Sequence, residues 1–284
     1  MKRLMVATLM LPGALAAQQG GPPQAEIAAE RQADAAMDKG RYLDAVDALR
    51  PFAVDATGKP STGLGGQMYR QYAGWVSGGI PDPDMEIRPL EPADAKALGG
   101  AELRDAIREI VSRARRTRVV ILNEDHGSSR SRAFALEVAA ALRPLGYDIL
   151  AAETFANDAD DTKSTAAMTA LAKDGYARRE TGFYSKDPTF AAFLRGALKL
   201  GYRPVAYEAA GEPAPNATRA QQLEYREKAQ ANFLISRVLK ATPEAKLLVY
   251  VGFSHLAETP LQDGDGKATR WMAARLKEKT GIDP

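Results

Sequence analysis

The chain has 284 residues, 45% of them hydrophobic and 26% charged, enough to bury a core and too apolar for a disordered tail. Its 38 Lys+Arg against 36 Asp+Glu leave a formal charge of +2, and Lys2 and Arg3 account for that surplus, which excludes a bulk electrostatic attraction to nucleic acid or an acidic membrane surface. With no cysteine, a disulfide, a thiolate nucleophile and Cys-ligated metals are excluded, and any chemistry falls to carboxylates, Tyr, Ser, Lys and the two histidines.

In chain order, Lys2 and Arg3 precede an apolar run over 4–11, a Pro12-Gly13 break and small residues at 14–17. That order is the pattern of a secretory leader cut after Ala16 or Ala17, and the run is too short for the roughly 20 residues a membrane span needs. A soluble periplasmic or secreted protein without a transmembrane segment is expected. A Gln/Gly/Pro-rich spacer over 18–23 then leads to small and apolar residues at helical spacing over 25–39, which Gly40 ends; a second helix runs through Tyr42, Ala45, Val46 and Leu49 to Pro51. The pair resembles half of a tetratricopeptide array. With no second copy at the 34-residue period it is expected to pack on its own chain, a protein partner at this hairpin being the alternative. Residues 55–100 are rich in Gly and Pro, carry Tyr69, Tyr72 and Trp75, and are expected to wrap the main domain as an irregular connection.

From 101 to 284 helix and strand patterns alternate. Helices are expected over 101–115, 131–142, 190–200, 220–240 and 269–279. The first four each precede an apolar run: Val119 to Leu122, Ile149 to Ala152, Pro204 to Tyr207, and Leu247 to Val251. Uninterrupted apolar runs of this kind are strands buried on both faces, so the expected class is α/β, a mainly parallel central sheet flanked by helices, with the helical hairpin ahead of it. In a parallel sheet all carboxyl ends share one edge, the edge where open α/β sheets hold ligands.

Each run ends in an ionisable group. The first ends in Asn123-Glu124-Asp125-His126, the second in Glu153, the third in Glu208 and the fourth in Gly252-Phe253-Ser254-His255. The second and third are near-copies, with Leu145-Gly146-Tyr147 and Leu200-Gly201-Tyr202 each followed by a Glu seven residues after the Gly. A half-desolvated carboxylate needs a partner, and Arg130, Arg132, Arg195 and Arg226 are within reach of a purely structural pairing. Against that reading, both histidines of the chain join three Glu at strand ends, which favours one joint site of Glu124, His126, Glu153, Glu208 and His255. Two mechanisms fit: a carboxylate-oriented His acting as general base with a Glu as acid, or His126 and His255 with one or two of Glu124, Glu153 and Glu208, Glu153 foremost, holding a divalent ion such as Zn²⁺ or Mn²⁺ that activates water.

At these residues the chain resembles the superfamily of erythromycin esterases, haem-binding ChaN lipoproteins and Tiki proteases. The likeness lies in Asn123-Glu124-Asp125-His126, Glu153 and Gly252-Phe253-Ser254-His255 in that order, with Thr181-Gly182-Phe183-Tyr184 and the Arg226-Glu227, Gln230, Asn232 helix as further marks. It spans about 118–258, and Asn123 departs from the Gly of the family pattern. The resemblance implies an exported hydrolase that activates water with the Glu/His cluster, through a divalent metal or without one, on an ester, lactone or amide of a small-molecule substrate. The alternative it implies is a haem- or metal-binding envelope protein without turnover. Tyr184, as an oxyanion donor or iron ligand, and Arg195, as a clamp for an anionic group, are expected substrate contacts.

Other motifs carry less. Gly63, Gly65 and Gly66 lack the strand, helix and Lys of a phosphate loop; Ser254 lies beside a His whose side chain points the other way on a strand; and Asp263-Gly264-Asp265-Gly266 lacks the distal Glu of a calcium loop and is expected to be a turn.

Overall fold

The structure is a computed structural model and describes residues 23–77, 92–211, 213–262 and 268–284. The expected leader, most of the spacer, part of the 55–100 connection and the turn at 263–266 lie outside the described residues.

The apolar runs form the sheet. Strands β1 (Val119–Glu124), β2 (Tyr147–Ala152), β3 (Arg203–Val205) and β4 (Lys246–Gly252) are all parallel in the order β1-β4-β2-β3. Side chains alternate between the faces with period two, and each face closes its own core. Val120, Leu150, Ala152, Leu248 and Tyr250 join one core. Val119, Ile149, Ala151, Leu247, Val249 and Val251 join the other. Burial on both sides is why these strands read as continuous apolar runs. Register sets Glu124 opposite Gly252 and Ala152 opposite Tyr250, so three strands reach the same edge, β2 ending two residues short of β1 and β4.

The helices are α1 (Gln24–Met37), α2 (Tyr42–Leu49), α3 (Leu64–Ser77), α4 (Pro92–Gly99), α5 (Ala106–Ala114), α6 (Ser129–Leu142), α7 (Asp161–Asp174), α8 (Pro188–Lys199), α9 (Arg219–Leu234) and α10 (Met272–Thr280). Buried residues of α1, α2, α3, α6 and α8 pack on the first face, and those of α9 and α10 on the second. Among the described residues no helix is long and apolar enough to cross a membrane.

The α/β class and the hairpin are as the sequence led one to expect; several boundaries are not. The connection expected to be irregular contains α3, because Met68, Tyr72 and Trp75 recur at helical spacing and are buried, which outweighs the poor helix propensity of Gly65 and Gly66. Helix α5 begins at Ala106 rather than at 101, since the Asp105 side chain accepts from the Arg108 amide at 2.7 Å and caps it there. Strand β3 stops at Val205, before Ala206 and Tyr207. The long helix over 220–240 is α9 followed by a π-helical turn, Ile235–Leu239. Thr269 pairs in a two-stranded antiparallel ladder, β5 (Leu261–Gln262) with β6 (Ala268–Thr269), so α10 starts at Met272.

Candidate functional site

Glu124 ends β1 and His126 lies in the turn that follows; both are buried, on either side of exposed Asp125. Glu124 accepts from Arg132 Nε at 2.8 Å and Nη2 at 2.9 Å, and its Oε1 lies 2.7 Å from His126 Nδ1. Arg132, fully buried on α6, also pairs with Asp187. Asp187 in turn caps α8 by accepting from the Thr189 and Phe190 amides, both at 3.1 Å. Burial alone would raise the Glu124 pKa, but the hydrogen bonds from Arg132 and His126 prevail and hold it below the ordinary carboxylate value. Glu124 is therefore an ionised acceptor, which fixes the His126 proton on Nδ1 and leaves Nε2 as an acceptor. The Tyr184 hydroxyl donates to that Nε2 at 3.0 Å. Burial, then the charges of Glu153 and Glu124, push the Tyr184 phenol well above its ordinary value, so it stays a proton donor.

Glu153 follows β2 directly and stands between the two imidazoles. Its Oε2 accepts from the Gly252 amide at 2.6 Å and lies 4.0 Å from His126 Nε2; its Oε1 accepts from Arg226 at 2.6 Å and lies 3.8 Å from His255 Nε2. Burial would raise its pKa, but Arg226 and both imidazoles draw it down to about 2. His255 lies on the tight turn Phe253–Leu256 after β4, its Nδ1 2.8 and 3.0 Å from the two oxygens of Glu227 on α9. Glu227 also accepts from the Met272 amide at 2.7 Å, filling the cap that Trp271 at the start of α10 does not supply. For His255 burial lowers the pKa, yet the hydrogen bond and charge of Glu227 outweigh it and the net shift is upward. Arg226, the neighbour of Glu227, donates to Glu208 at 2.6 and 3.0 Å, and Gln230 adds bonds to Glu208 at 3.1 and 3.2 Å.

The five side chains expected to meet do meet, and Tyr184 with them. Arg195 does not: it is exposed on α8, whose apolar stripe faces the core, so the expected anion clamp is not part of this cluster. Of the candidate partners, Arg132 and Arg226 are the ones that pair with the strand-end carboxylates. Asp187 and Glu227 were not identified from the sequence; the Asp187-Pro188 start of a helix and the Arg226-Glu227 pair were the only local signals. Phe253 marks the rim, 40% exposed, edge-on to His126 at 5.3 Å, with φ of 37°, the one non-glycine residue in the left-handed region among the described residues.

The expected metal set does not fit. Among the described residues no group of three or more His, Asp or Glu side chains is arranged to hold an ion. Between His255, Glu153 and Glu208 stands the Arg226 guanidinium, 3.3 Å from His255 Nε2, so a permanent cation already occupies that place. Haem iron needs an accessible ligand, and both imidazoles and Tyr184 are buried and bonded.

No family model matches the sequence, and no curated protein matches it. Solved structures do. The type III effector HopBA1 matches at 19% identity and TM-score 0.38, over 64% of this chain and 82% of that one. RRSP, a MARTX toxin effector domain from Vibrio vulnificus, matches at 17% and 0.46, over 88% of this chain and 54% of that one. A bacterial protein toxin matches at 18% and 0.48, over 89% and 55%, so this chain spans about half the length of those two. The C-terminal region of Pasteurella multocida toxin, described with a thiol-protease-like triad, matches at 13% and 0.44, over 75% and 30%; this chain has no cysteine. The expected kinship is corrected accordingly: the matches are toxin effector domains, not erythromycin esterases or ChaN-like haem-uptake proteins, and the hydrolase and haem-binding assignments that rested on that kinship fall with it. At these similarities no activity passes from the matched structures to this chain.

Proposed function

We propose that this chain is an enzyme that catalyses proton transfer, with His126 as general base and His255 as general acid on either side of Glu153. One observation carries the reading: each imidazole has its Nδ1 fixed by a carboxylate of its own, while both Nε2 atoms lie within 4.0 Å of the shared Glu153. Orientation of a His by a carboxylate on Nδ1 is what frees Nε2 for proton transfer. The two differ in a way that assigns roles. His126 rests as an acceptor of the Tyr184 proton, whereas Glu227 and Glu153 favour the charged form of His255 and outweigh both its burial and the opposing charge of Arg226. Glu124, Glu153, Asp187, Glu208 and Glu227 outnumber Arg132 and Arg226, a surplus of negative charge that favours an imidazolium formed during turnover. Tyr184, kept protonated, is placed to donate to a negative oxygen developing beside His126.

A small molecule or a chain segment approaches past Arg226, Glu208 and Phe253, the partly exposed side of the cluster. The order of charged, apolar and small residues over 1–17 supports a protein that works outside the cytoplasm, and fractionation of expressing cells into periplasm and medium tests it. The catalytic reading is tested on a panel of chromogenic phosphodiester and glycosidic substrates. Any turnover should follow a bell-shaped pH profile, His126→Gln and His255→Gln should each lower the rate by about 10²–10⁴-fold, and each should abolish one limb of the bell. Turnover that persists unchanged in both variants rejects the assignment.

A further inference from the structure

We infer that Trp75, on the α3 helix that precedes the α/β unit, is a positioning residue for His126; the inference builds on the acid–base reading above. Its indole Nε1 donates to the backbone carbonyl of His126 at 3.0 Å, a buried bond between segments 51 residues apart. Arg132 Nη2 donates to the same carbonyl at 3.1 Å, and that nitrogen also donates to Glu124 Oε1, the oxygen 2.7 Å from His126 Nδ1. The Arg132 guanidinium carbon lies 5.7 Å from the Trp75 ring centre. Trp75 and Arg132 therefore share one acceptor. Without the indole N–H, the carbonyl keeps a single side-chain donor, a nitrogen already divided with Glu124, and the grip on Glu124 and through it on Nδ1 slackens. Gly74 lies against Gly127, the residue after His126, with no room for a Cβ, so the helix bears directly on this loop.

The same helices brace the other ring nitrogen. The Tyr42 hydroxyl donates to the Lys186 carbonyl at 3.0 Å, and Lys186 Nζ pairs with Asp34 at 3.2 Å and Asp38 at 3.7 Å. The Phe183 ring lies 6.5 Å from Tyr72 and 5.9 Å from Trp75. These contacts hold the short turn Phe183–Lys186, which carries the Tyr184 hydroxyl to His126 Nε2. His255 is held differently: Glu227, Arg226, Glu153 and Trp271 surround it, and none belongs to α1, α2 or α3.

The two histidines make the test direct, because one serves as the control for the other. Long-range ¹H–¹⁵N spectra of the imidazoles are recorded on the full chain and on Trp75→Phe, which keeps a ring over Arg132 and removes the donor. The expected result is that His126 resonances shift and its Nδ1 proton exchanges with water about five to ten times faster, the equivalent of one hydrogen bond, while His255 is unchanged. His126 signals that coincide with those of the parent chain, or equal changes at both histidines, overturn the inference even if the melting temperature falls. Should Trp75→Phe not fold, Tyr42→Phe examines the brace from the Nε2 side: a shift at His126 Nε2 alone supports it, and an unmoved Nε2 overturns it. The readout needs no substrate, so its failure is separable from a failure of the catalytic reading.

Discussion

At Gly252 the two halves of the cluster come together. Its amide donates to Glu153, and a Cβ built there would overlap the His126 ring and crowd Glu153. Only a hydrogen at that position lets the imidazole lie on the end of β4. Gly252→Ala is expected to keep the helical circular dichroism of the parent and to lower turnover by about 10²-fold, since displacement of a catalytic group by an ångström costs about that much. Equal turnover in the variant would mean that His126 does not work in this position. Glu153 makes the complementary point. Three groups of positive or potentially positive charge surround it, and its depressed pKa reports those neighbours rather than its own burial, which acts in the opposite direction.

Among the secondary elements, α3 matters beyond its length. Its buried Tyr72 and Trp75 join the same core as the sheet, Tyr72 donates to Asp34 on α1 at 2.6 Å, and Trp75 reaches the loop after β1. Residues 101–284 were expected to form the α/β domain, yet that segment alone would leave the His126 carbonyl without its indole donor and the first core without the buried residues of α1, α2 and α3. A fragment of 101–284 is therefore expected to unfold at lower temperature and less cooperatively than the full chain, followed by circular dichroism; coincident melts would show that α1 to α3 are dispensable. The strands were legible because burial on both faces demands unbroken apolar runs, and the helix that carries Trp75 was not, because its glycines resemble loop composition while its buried stripe has only three large members.

Over the whole molecule, the charges of the site set limits on pH. Glu124 and Glu153 titrate lower in the folded chain than their ordinary 4.5, so the stability they add is complete above that value and lost as pH falls through their folded values, near 2 for Glu153. His255 titrates higher than its ordinary 6.5, so its contribution is complete below 6.5 and lost as pH rises through the folded value. The two windows predict a melting temperature that is highest between about 4.5 and 6.5, falls on both sides, and loses part of its alkaline fall in His255→Gln. A melting temperature that keeps rising above that interval would contradict the arrangement around His255.

The amino-acid sequence by itself determined the class of fold and the edge of the sheet where the ionisable side chains gather, because a parallel strand shows its burial in its own composition and its end in the polar residue that follows. It named Glu124, His126, Glu153, Glu208 and His255 for that reason, each being the residue at which an apolar run meets the open edge. It did not determine how they are wired. Arg132 and Arg226 were two among several arginines within reach, Asp187 read as a helix start, Glu227 as one of many helical charges, and Trp75 as part of a loop. Which guanidinium neutralises which carboxylate, whether a cation or a metal stands between Glu153 and Glu208, and which indole caps the His126 carbonyl depend on contacts between segments far apart in the chain. Such contacts leave no periodic trace in composition, since a single polar partner is chosen by distance and desolvation in the assembled core.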